Sequence, residues 1–290
     1  MAVRNTAQDA VPNWDAELQV YAPHRAGLPA FGPYFRALWA RLAFVTEFSK
    51  SGIKAANSQT VFGQIWLILN PLLLAMVYFF IVSVLGSSDD PMGTLVHIVC
   101  GIFIFYFFSG SVASGAGSVT GGGRLIMNMA FPRLLMPIAM VRTAFFRFLP
   151  TVPVLFIFLL LGDAPWSPAM LLSLVFLVLL TLFSVGMAAF MATLQVYFRD
   201  TSSFLPYFLR IWLYVSPILM SRQVLEAKVP RGVLLCNPLF SLIGGWNQTI
   251  QEGTVPAWDM WLAAVVWSVV ALVGGSLLFM SRERDFVVRL

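Results

Sequence analysis

The sequence predicts an all-α integral membrane protein with six transmembrane helices, an N-terminal amphipathic interfacial helix, and outer re-entrant helices between the fifth and sixth spans. Of its 290 residues, 59% are hydrophobic and only 11% are charged, too little polar surface for a soluble globule. Six apolar segments are long enough to cross a hydrocarbon core of about 30 Å. A further apolar run at 233–246 has only about 14 residues. Because Asn237-Pro238 interrupts it, we expect this run to enter the membrane and turn back.

The N-terminal region is predicted to lie outside the spans. It has acidic residues and prolines but no apolar core before a small-residue cleavage site, so it is not a cleavable signal. Arg36, Lys50 and Lys54 then fall on one side of an amphipathic helix in the headgroup plane, which serves either as an anchor or as a gate at a pore entrance. The predicted divisions are a cytosolic tail at 1–32, the interfacial helix at 33–58 and a transmembrane domain at 59–290.

Hydropathy places the spans, and charge orients them. The six predicted spans are residues 61–85, 95–118, 138–161, 168–195, 204–221 and 258–280. Lys and Arg residues cluster on one side of them, whereas the short loops on the other side hold Asp89, Asp90 and Asp163. The positive-inside rule therefore predicts that both termini are cytosolic. Arg222, Lys228 and Arg231, in the predicted outer region, run against this orientation.

Catalysis and nucleic-acid binding find no support in the sequence. The glycines before Arg124 lack the G-x-x-x-x-G-K-[ST] phosphate-loop pattern, and Asp89-Asp90 has no second acidic cluster to complete a metal site. Cys100 and Cys236 form no metal-ligand pattern, and no basic patch is interleaved with stacking aromatics. We therefore expect a conduit without cofactor or metal, driven by a separate polypeptide, since the chain has no Walker motif.

Two arginines are predicted to lie within spans, where each charge costs about 2.5 to 3.5 kcal/mol on insertion scales. Arg147 and Arg210 are placed within about two turns of a cytosolic end. Either they extend to the interface, or they face the bundle interior and meet a phosphate-bearing substrate, with Arg142 at the mouth. The second span is also rich in aromatic residues on every side. Lipid contact and packing explain most of them, and those that face inward can stack on sugar rings.

An ordered set of short motifs carries a resemblance to a known family. The motifs are Lys54, Asn57-Ser58, Gly63, Trp66, Asn70-Pro71, Phe131-Pro132, Pro137, Arg199-Asp200, Pro206, Tyr214-Val215-Ser216-Pro217-Ile218 and Asn237-Pro238. In order and spacing the chain resembles the membrane subunit of ABC-2-type polysaccharide exporters, which move capsule, O-antigen, teichoic acid or galactan chains. The resemblance covers residues 40–285.

The resemblance implies a homodimer with two ABC ATPase subunits that bind ATP and Mg, exporting a polysaccharide linked to polyprenyl pyrophosphate across the bacterial plasma membrane for envelope assembly. It implies no nucleic acid and no catalytic residue. The implied sites are a gate helix (Arg36, Lys50, Lys54), an ATPase-coupling segment (Arg124, Met127, Phe131, Arg133), a channel lining (Phe105, Phe108, Trp212, Tyr214), a lipid pyrophosphate entrance (Arg142, Arg147, Arg210) and re-entrant helices at 224–246.

Two departures from the family pattern leave the substrate open. Lys54-Ala55-Ala56 replaces the usual Arg-Tyr pair, and Arg199 replaces the acidic or aliphatic residue before Asp200. The alternatives are a drug or small-lipid exporter of the same fold and a membrane-embedded lipid-glycan transferase.

Overall fold

Residues 30–41, 43, 45–46, 49, 62–85, 90–122 and 131–289 are described in the computed structural model of the protein. Every regular element in these ranges is a helix, which confirms the all-α prediction. Residues 1–29 of the predicted tail and 50–58 of the predicted interfacial helix lie outside the described residues.

The helices are numbered here in chain order. They are α1 (Phe31–Ala40), α2 (Trp66–Leu85), α3 (Pro91–Ala116), α4 (Ser118–Gly121), α5 (Leu135–Phe148), α6 (Thr151–Leu161), α7 (Ser173–Tyr197), α8 (Thr201–Val215), α9 (Arg222–Lys228), α10 (Arg231–Leu235), α11 (Pro238–Ile250), α12 (Trp258–Arg282) and α13 (Phe286–Arg289). Short 3₁₀ turns, Gly63–Ile65 and Pro168–Leu172, lead into α2 and α7.

The described residues contain four to five membrane-spanning segments. Gly63–Val84, Pro91–Ala116, Pro168–Tyr197 and Trp258–Arg282 are each long and apolar enough to cross a membrane. The pair α5 and α6, bent by 43°, is a fifth such segment if it forms one broken span rather than a re-entrant loop. Pro150 and Pro153 lie at this bend and remove two backbone donors, which accounts for the break.

The predicted fifth span at 204–221 has a different form. Helix α8 has 15 residues, or about 22 Å at 1.5 Å per residue, less than the hydrocarbon core of about 30 Å. The chain then leaves the helix at Ser216 and runs through turns to Met220. Pro217 has no N–H to continue the helical ladder, so α8 ends short of a full crossing.

Helix α3 forms the centre of the bundle, between α2, α5 and α7. It is the most deeply buried of the spanning helices. Phe103 and Phe108 on α3 are fully buried, and the Phe108 ring stacks on Phe183 of α7 at 5.6 Å between centroids. The many aromatic residues of the second span therefore serve mainly to pack this core.

Helices α7 and α12 pack unusually closely. The backbones meet at Gly186 and Gly275, where an added Cβ on either residue would overlap a carbonyl oxygen of the other helix. The Ser268 hydroxyl on α12 donates to the carbonyl of Leu179 on α7 at 2.9 Å. Small residues and one interhelical hydrogen bond thus replace the hydrophobic driving force that lipid cannot supply.

We predict that Gly275→Ala destabilises the protein by about 1 to 3 kcal/mol, because the new methyl group overpacks the α7–α12 contact. Gly274→Ala is the matched control, since nothing lies within 4 Å of an added Cβ there. Thermal unfolding of the detergent-solubilised variants by circular dichroism makes the comparison. Equal unfolding temperatures for the two variants would contradict the close-packing argument.

Candidate functional site

An exposed aromatic stripe runs along one face of α8. Phe204, Tyr207, Ile211 and Tyr214 are each more than half exposed, and their spacing of three, four and three residues puts them on one side of the helix. The opposite side, with Leu205, Leu209 and Leu213, is buried against the bundle. We refer to Phe204, Tyr207, Ile211 and Tyr214 as the α8 stripe. Its aromatic faces are free to contact something outside this chain.

The structure separates the residues predicted to line a channel. Tyr214 lies in the α8 stripe and accepts a hydrogen bond from the hydroxyl of Tyr78 at 3.2 Å. Phe105 and Phe108 are 4% and 0% exposed, so they lie inside the protomer. The Trp212 indole N–H donates to Asn237 Oδ1 at 2.8 Å, and its ring packs edge-on against Phe108.

Sequence reasoning missed Phe204 and Tyr207 as members of the stripe. Their signal was present, because apolar and aromatic residues repeat on two opposite faces of the same short helix. Pro206 and Arg210 also lie in this helix, but neither occupies a position of the exposed stripe or of the buried leucine face, so the helical repeat of both faces is kept. The helical period would have identified the stripe, whereas hydropathy averaged over the segment did not.

A cleft of about 320 Å³ lies between α2, α3 and α5. Its lining residues are Trp66, Leu67, Asn70, Pro71, Phe103, Tyr106, Phe107, Gly110, Ser114, Met140, Thr143, Ala144, Arg147, Phe148 and Thr151. Most of this surface is apolar, but Arg147 brings a permanent positive charge to it. The side chain of Arg147 is exposed and makes no hydrogen bond or ion pair within the described part of the chain.

The three arginines predicted at a pyrophosphate entrance do not share one site in the protomer. Only Arg147 lines the cleft. The guanidinium of Arg142, five residues earlier on α5, lies 5.5 Å from the ring centroid of Phe146. Arg210 is exposed on α8. A shared role for the three residues therefore requires a surface that one protomer does not form.

A polar junction ties α1 to the C-terminal end of α12 and to the segment before α5. Tyr34 donates its hydroxyl proton to Glu283 Oε2 at 2.6 Å, and the backbone N–H of Arg133 donates to Glu283 Oε1 at 2.6 Å. The Leu134 N–H donates to the Tyr34 hydroxyl at 3.4 Å, and the Arg133 guanidinium also donates to the Glu283 carbonyl. Three segments distant in sequence are therefore held at one point, the Tyr34–Glu283–Arg133 junction.

Burial is the largest influence on the pKa values of Tyr34 and Glu283 at this junction. It raises the pKa of the Glu283 carboxyl above its ordinary value, opposed by the hydrogen bonds from Tyr34 and the Arg133 backbone. Burial also raises the pKa of the Tyr34 hydroxyl, and the nearby Glu283 charge adds to the effect. Tyr34 therefore remains a proton donor at neutral pH.

Of the other residues predicted at the gate and coupling sites, Arg36 is exposed on α1, whereas Lys50, Lys54, Arg124 and Met127 lie outside the described residues.

Two of the three basic residues between α8 and α12, Arg222 and Arg231, are paired with acidic residues. Arg231 forms a two-point ion pair with Asp259, one of its bonds measuring 2.7 Å, and the pKa of Arg231 is raised mainly by this hydrogen bonding. Arg222 lies 3.3 Å from Glu226 Oε1 and 3.8 Å from Glu252 Oε2. These ion pairs join α9 to α10 and α10 to the beginning of α12. Within the described ranges, no group of three His, Cys, Asp or Glu residues is arranged to hold a metal ion.

Comparison with known proteins supports the resemblance. No family model matches the chain. Two proteins from Klebsiella pneumoniae, both named O-antigen export system permease protein RfbA, are each 27% identical to this chain. The first alignment covers 77% of this chain and 85% of the relative. The second covers 70% of this chain and 78% of the relative. A protein of the same name from Myxococcus xanthus is 26% identical over 87% of this chain and 96% of its own length. The chain is therefore related, over most of its length, to the permease subunits of O-antigen export systems, as its motifs predicted.

Proposed function

We propose that this protein is the permease subunit of an ATP-driven ABC transporter that exports a lipid-linked polysaccharide across the bacterial plasma membrane. The observation that carries the proposal is the similarity to O-antigen export permeases along 77% and 87% of the chain. The several apolar spans support it, because a permease of this kind is a multi-pass membrane protein. A polymer linked to polyprenyl pyrophosphate is the substrate class that the resemblance implies.

The proposed topology has six spans and cytosolic termini. In it α8 is a short fifth crossing, and α9 to α11 are outer re-entrant helices that complete it. Helix α11 supports this arrangement, since all its residues from Leu239 to Ile250 are buried although its 13 residues are too few to span.

The proposed channel lies between two copies of the chain. The α8 stripe suits this role, because it is exposed on the protomer and presents three aromatic side chains, Phe204, Tyr207 and Tyr214, on one side of the helix. Aromatic rings stack on the apolar faces of successive sugars without a fixed lock, which allows a repeating polymer to slide. A homodimer would place two such stripes around the polymer.

The proposed coupling runs through the Tyr34–Glu283–Arg133 junction. Two ABC ATPases, which hold the ATP and Mg, would press on the segment around Phe131 and Arg133. The junction supports a link from that segment to α1, because Glu283 accepts hydrogen bonds from both Arg133 and Tyr34. Movement at the ATPase contact would therefore reach the proposed gate helix directly. Arg142, Arg147 and Arg210 are proposed to meet the lipid pyrophosphate where it enters.

Depletion of the protein in its host tests the proposed function. We expect full-length polyprenyl-linked polymer to accumulate on the cytosolic leaflet, with loss of the same polymer outside the cell. Lipid extraction with analysis of the glycan chains measures both pools, and re-expression of the wild-type protein is the control. Truncated or missing polymer would instead indicate a transferase, and an unchanged glycan pool would indicate a drug or small-lipid exporter.

We predict that Tyr207→Leu lowers polymer export roughly two- to tenfold, because it removes a stacking interaction of about 0.5 to 1.5 kcal/mol. Phe190→Leu is the matched control, since Phe190 is an exposed aromatic residue on α7, away from the stripe. Surface polymer per copy of membrane-inserted permease is the quantity to compare. Equal export by the two variants would contradict the proposal that the α8 stripe lines the channel.

We predict that Tyr34→Phe uncouples ATP hydrolysis from export, since it removes the hydroxyl that joins α1 to Glu283. Losing this charge-assisted bond costs about 1.5 to 3 kcal/mol. In reconstituted transporter, the ATP consumed per exported polymer should rise. Phe35→Leu, at the neighbouring exposed position of α1, is the control. A Tyr34→Phe variant that unfolds more easily but keeps the wild-type ratio of ATP to polymer would show that the junction only stabilises the fold.

A further inference from the structure

An apolar cleft of about 320 Å³ lies between α1 and the segments α5, α7 and α12. Phe31 and Phe35 of α1 form one wall and are about half exposed, so the cleft is open to the surroundings between α1 and α12. It shares no described residue with the α8 stripe or with the cleft that Arg147 lines. It is therefore a feature separate from the sites described above.

The lining of this cleft favours hydrocarbon over water. All of its described lining residues are apolar except Ser276. An ordered water needs two to four polar partners, and the side chains of this lining offer one hydroxyl. An apolar group, in contrast, gains dispersion contacts on every wall. In a membrane-spanning protein, the surrounding bilayer is a ready source of such a group.

The length of the cleft matches the hydrocarbon half of one leaflet. On α12 its lining runs from Leu272 to Met280, about 12 Å at 1.5 Å per residue. The apolar span that contains these residues ends at Arg282. Half of a hydrocarbon core of about 30 Å is about 15 Å. A single acyl chain whose headgroup lies level with Arg282 would therefore follow the cleft through most of its leaflet.

Positive charge predominates at the end of the cleft where the headgroup would lie. Arg36 lies beside the cleft on α1, and Arg282 and Arg284 lie just beyond it; all three are exposed. Two carboxylates are nearby, Glu283 in the junction with Tyr34 and Asp285 at 3.8 Å from Arg282. Three arginines against two carboxylates leave a net positive charge, which favours an anionic phospholipid.

The cleft lies directly beside the Tyr34–Glu283–Arg133 junction. Each of these three residues is within three positions of a residue that lines the cleft, on α1, after α12 and before α5 respectively. The segments that the junction joins by hydrogen bonds are therefore also walls of the cleft. A chain packed in the cleft would add apolar contacts between α1 and α12 at the same place.

We propose that the cleft between α1, α5, α7 and α12 binds one acyl chain of an anionic bilayer phospholipid, which holds α1 against α12 beside the junction. The occupant is a lipid of the bilayer and not the exported molecule. The proposal goes beyond the proposed function and does not depend on it, because it rests on the lining, length and charge of the cleft alone.

Lipid binding by the full-length protein tests the proposal. Delipidated protein in detergent is titrated with phosphatidylglycerol or with phosphatidylcholine of the same acyl chains, and bound lipids are counted by native mass spectrometry. Val273→Phe places a ring in the cleft, and Val270→Phe is the matched control, since Val270 is exposed on α12 and does not line the cleft. We expect Val273→Phe to bind phosphatidylglycerol about tenfold more weakly than the control, roughly the effect of two buried methylene groups.

Hydrogen exchange at α1 tests the link to the junction. Added phosphatidylglycerol should slow amide exchange in α1 of the wild type and of Val270→Phe, but not of Val273→Phe. Ser276→Phe, at a less exposed lining position, replaces Val273→Phe if that variant does not fold. Lipid binding that leaves exchange in α1 unchanged would overturn the proposed contact between the lipid and α1.

Three binding results would overturn the assignment of the occupant. Equal binding of phosphatidylglycerol by Val273→Phe and Val270→Phe would remove the acyl chain from the cleft. Equal binding of phosphatidylcholine and phosphatidylglycerol by the wild type would refute the preference for an anionic headgroup. Stronger binding of polyprenyl pyrophosphate than of phosphatidylglycerol, lost in Val273→Phe, would show that the occupant is not a bilayer phospholipid.

Discussion

The break at the end of α8 imposes a constraint that the surrounding fold satisfies. A membrane offers no water to the backbone groups that a helix end leaves free, so protein must supply their partners. The Asn237 amide donates to the carbonyl of Val215 at 3.2 Å, and its carbonyl oxygen accepts from Trp212 and from the N–H of Leu239. The Asn247 amide donates to the carbonyl of Pro217 at 3.2 Å. Two asparagines thus close the end of one helix and cap the beginning of another.

This requirement explains why α11 is buried although it is too short to span. The helix brings Asn237 and Asn247 to the break, and its other positions fill the space beside α3, α7 and α12. Gly245 allows α11 to approach α7, because a Cβ added at Gly245 would overlap the ring of Phe176 on α7. Close packing and polar satisfaction are therefore provided by the same short helix, which makes the Asn237-Pro238 segment a structural centre of the protein.

The sequence predicted the long spans within a few residues, because hydropathy over about 20 residues measures the one property that crossing requires. It did not predict the 15-residue length of α8 or the bend between α5 and α6, since local backbone breaks depend on prolines whose effect tertiary contacts decide. Nor could it orient Phe105 and Phe108, because aromatic residues occur on every side of α3. The Tyr34–Glu283–Arg133 junction joins residues 249 and 150 positions apart, beyond any local pattern.

Two features that the protomer leaves exposed fit the proposed substrate. A folded chain pairs its buried polar groups and covers its apolar faces where it can, as the Asn237 and Glu283 networks show. The α8 stripe is an exposed, mostly aromatic face, and Arg147 is a charge without an ion pair in the described residues that lines a largely apolar cleft. An aromatic face suits sugars, and a guanidinium suits phosphate. A lipid-linked polysaccharide carries both chemistries in one molecule, so the proposed substrate would suit both features.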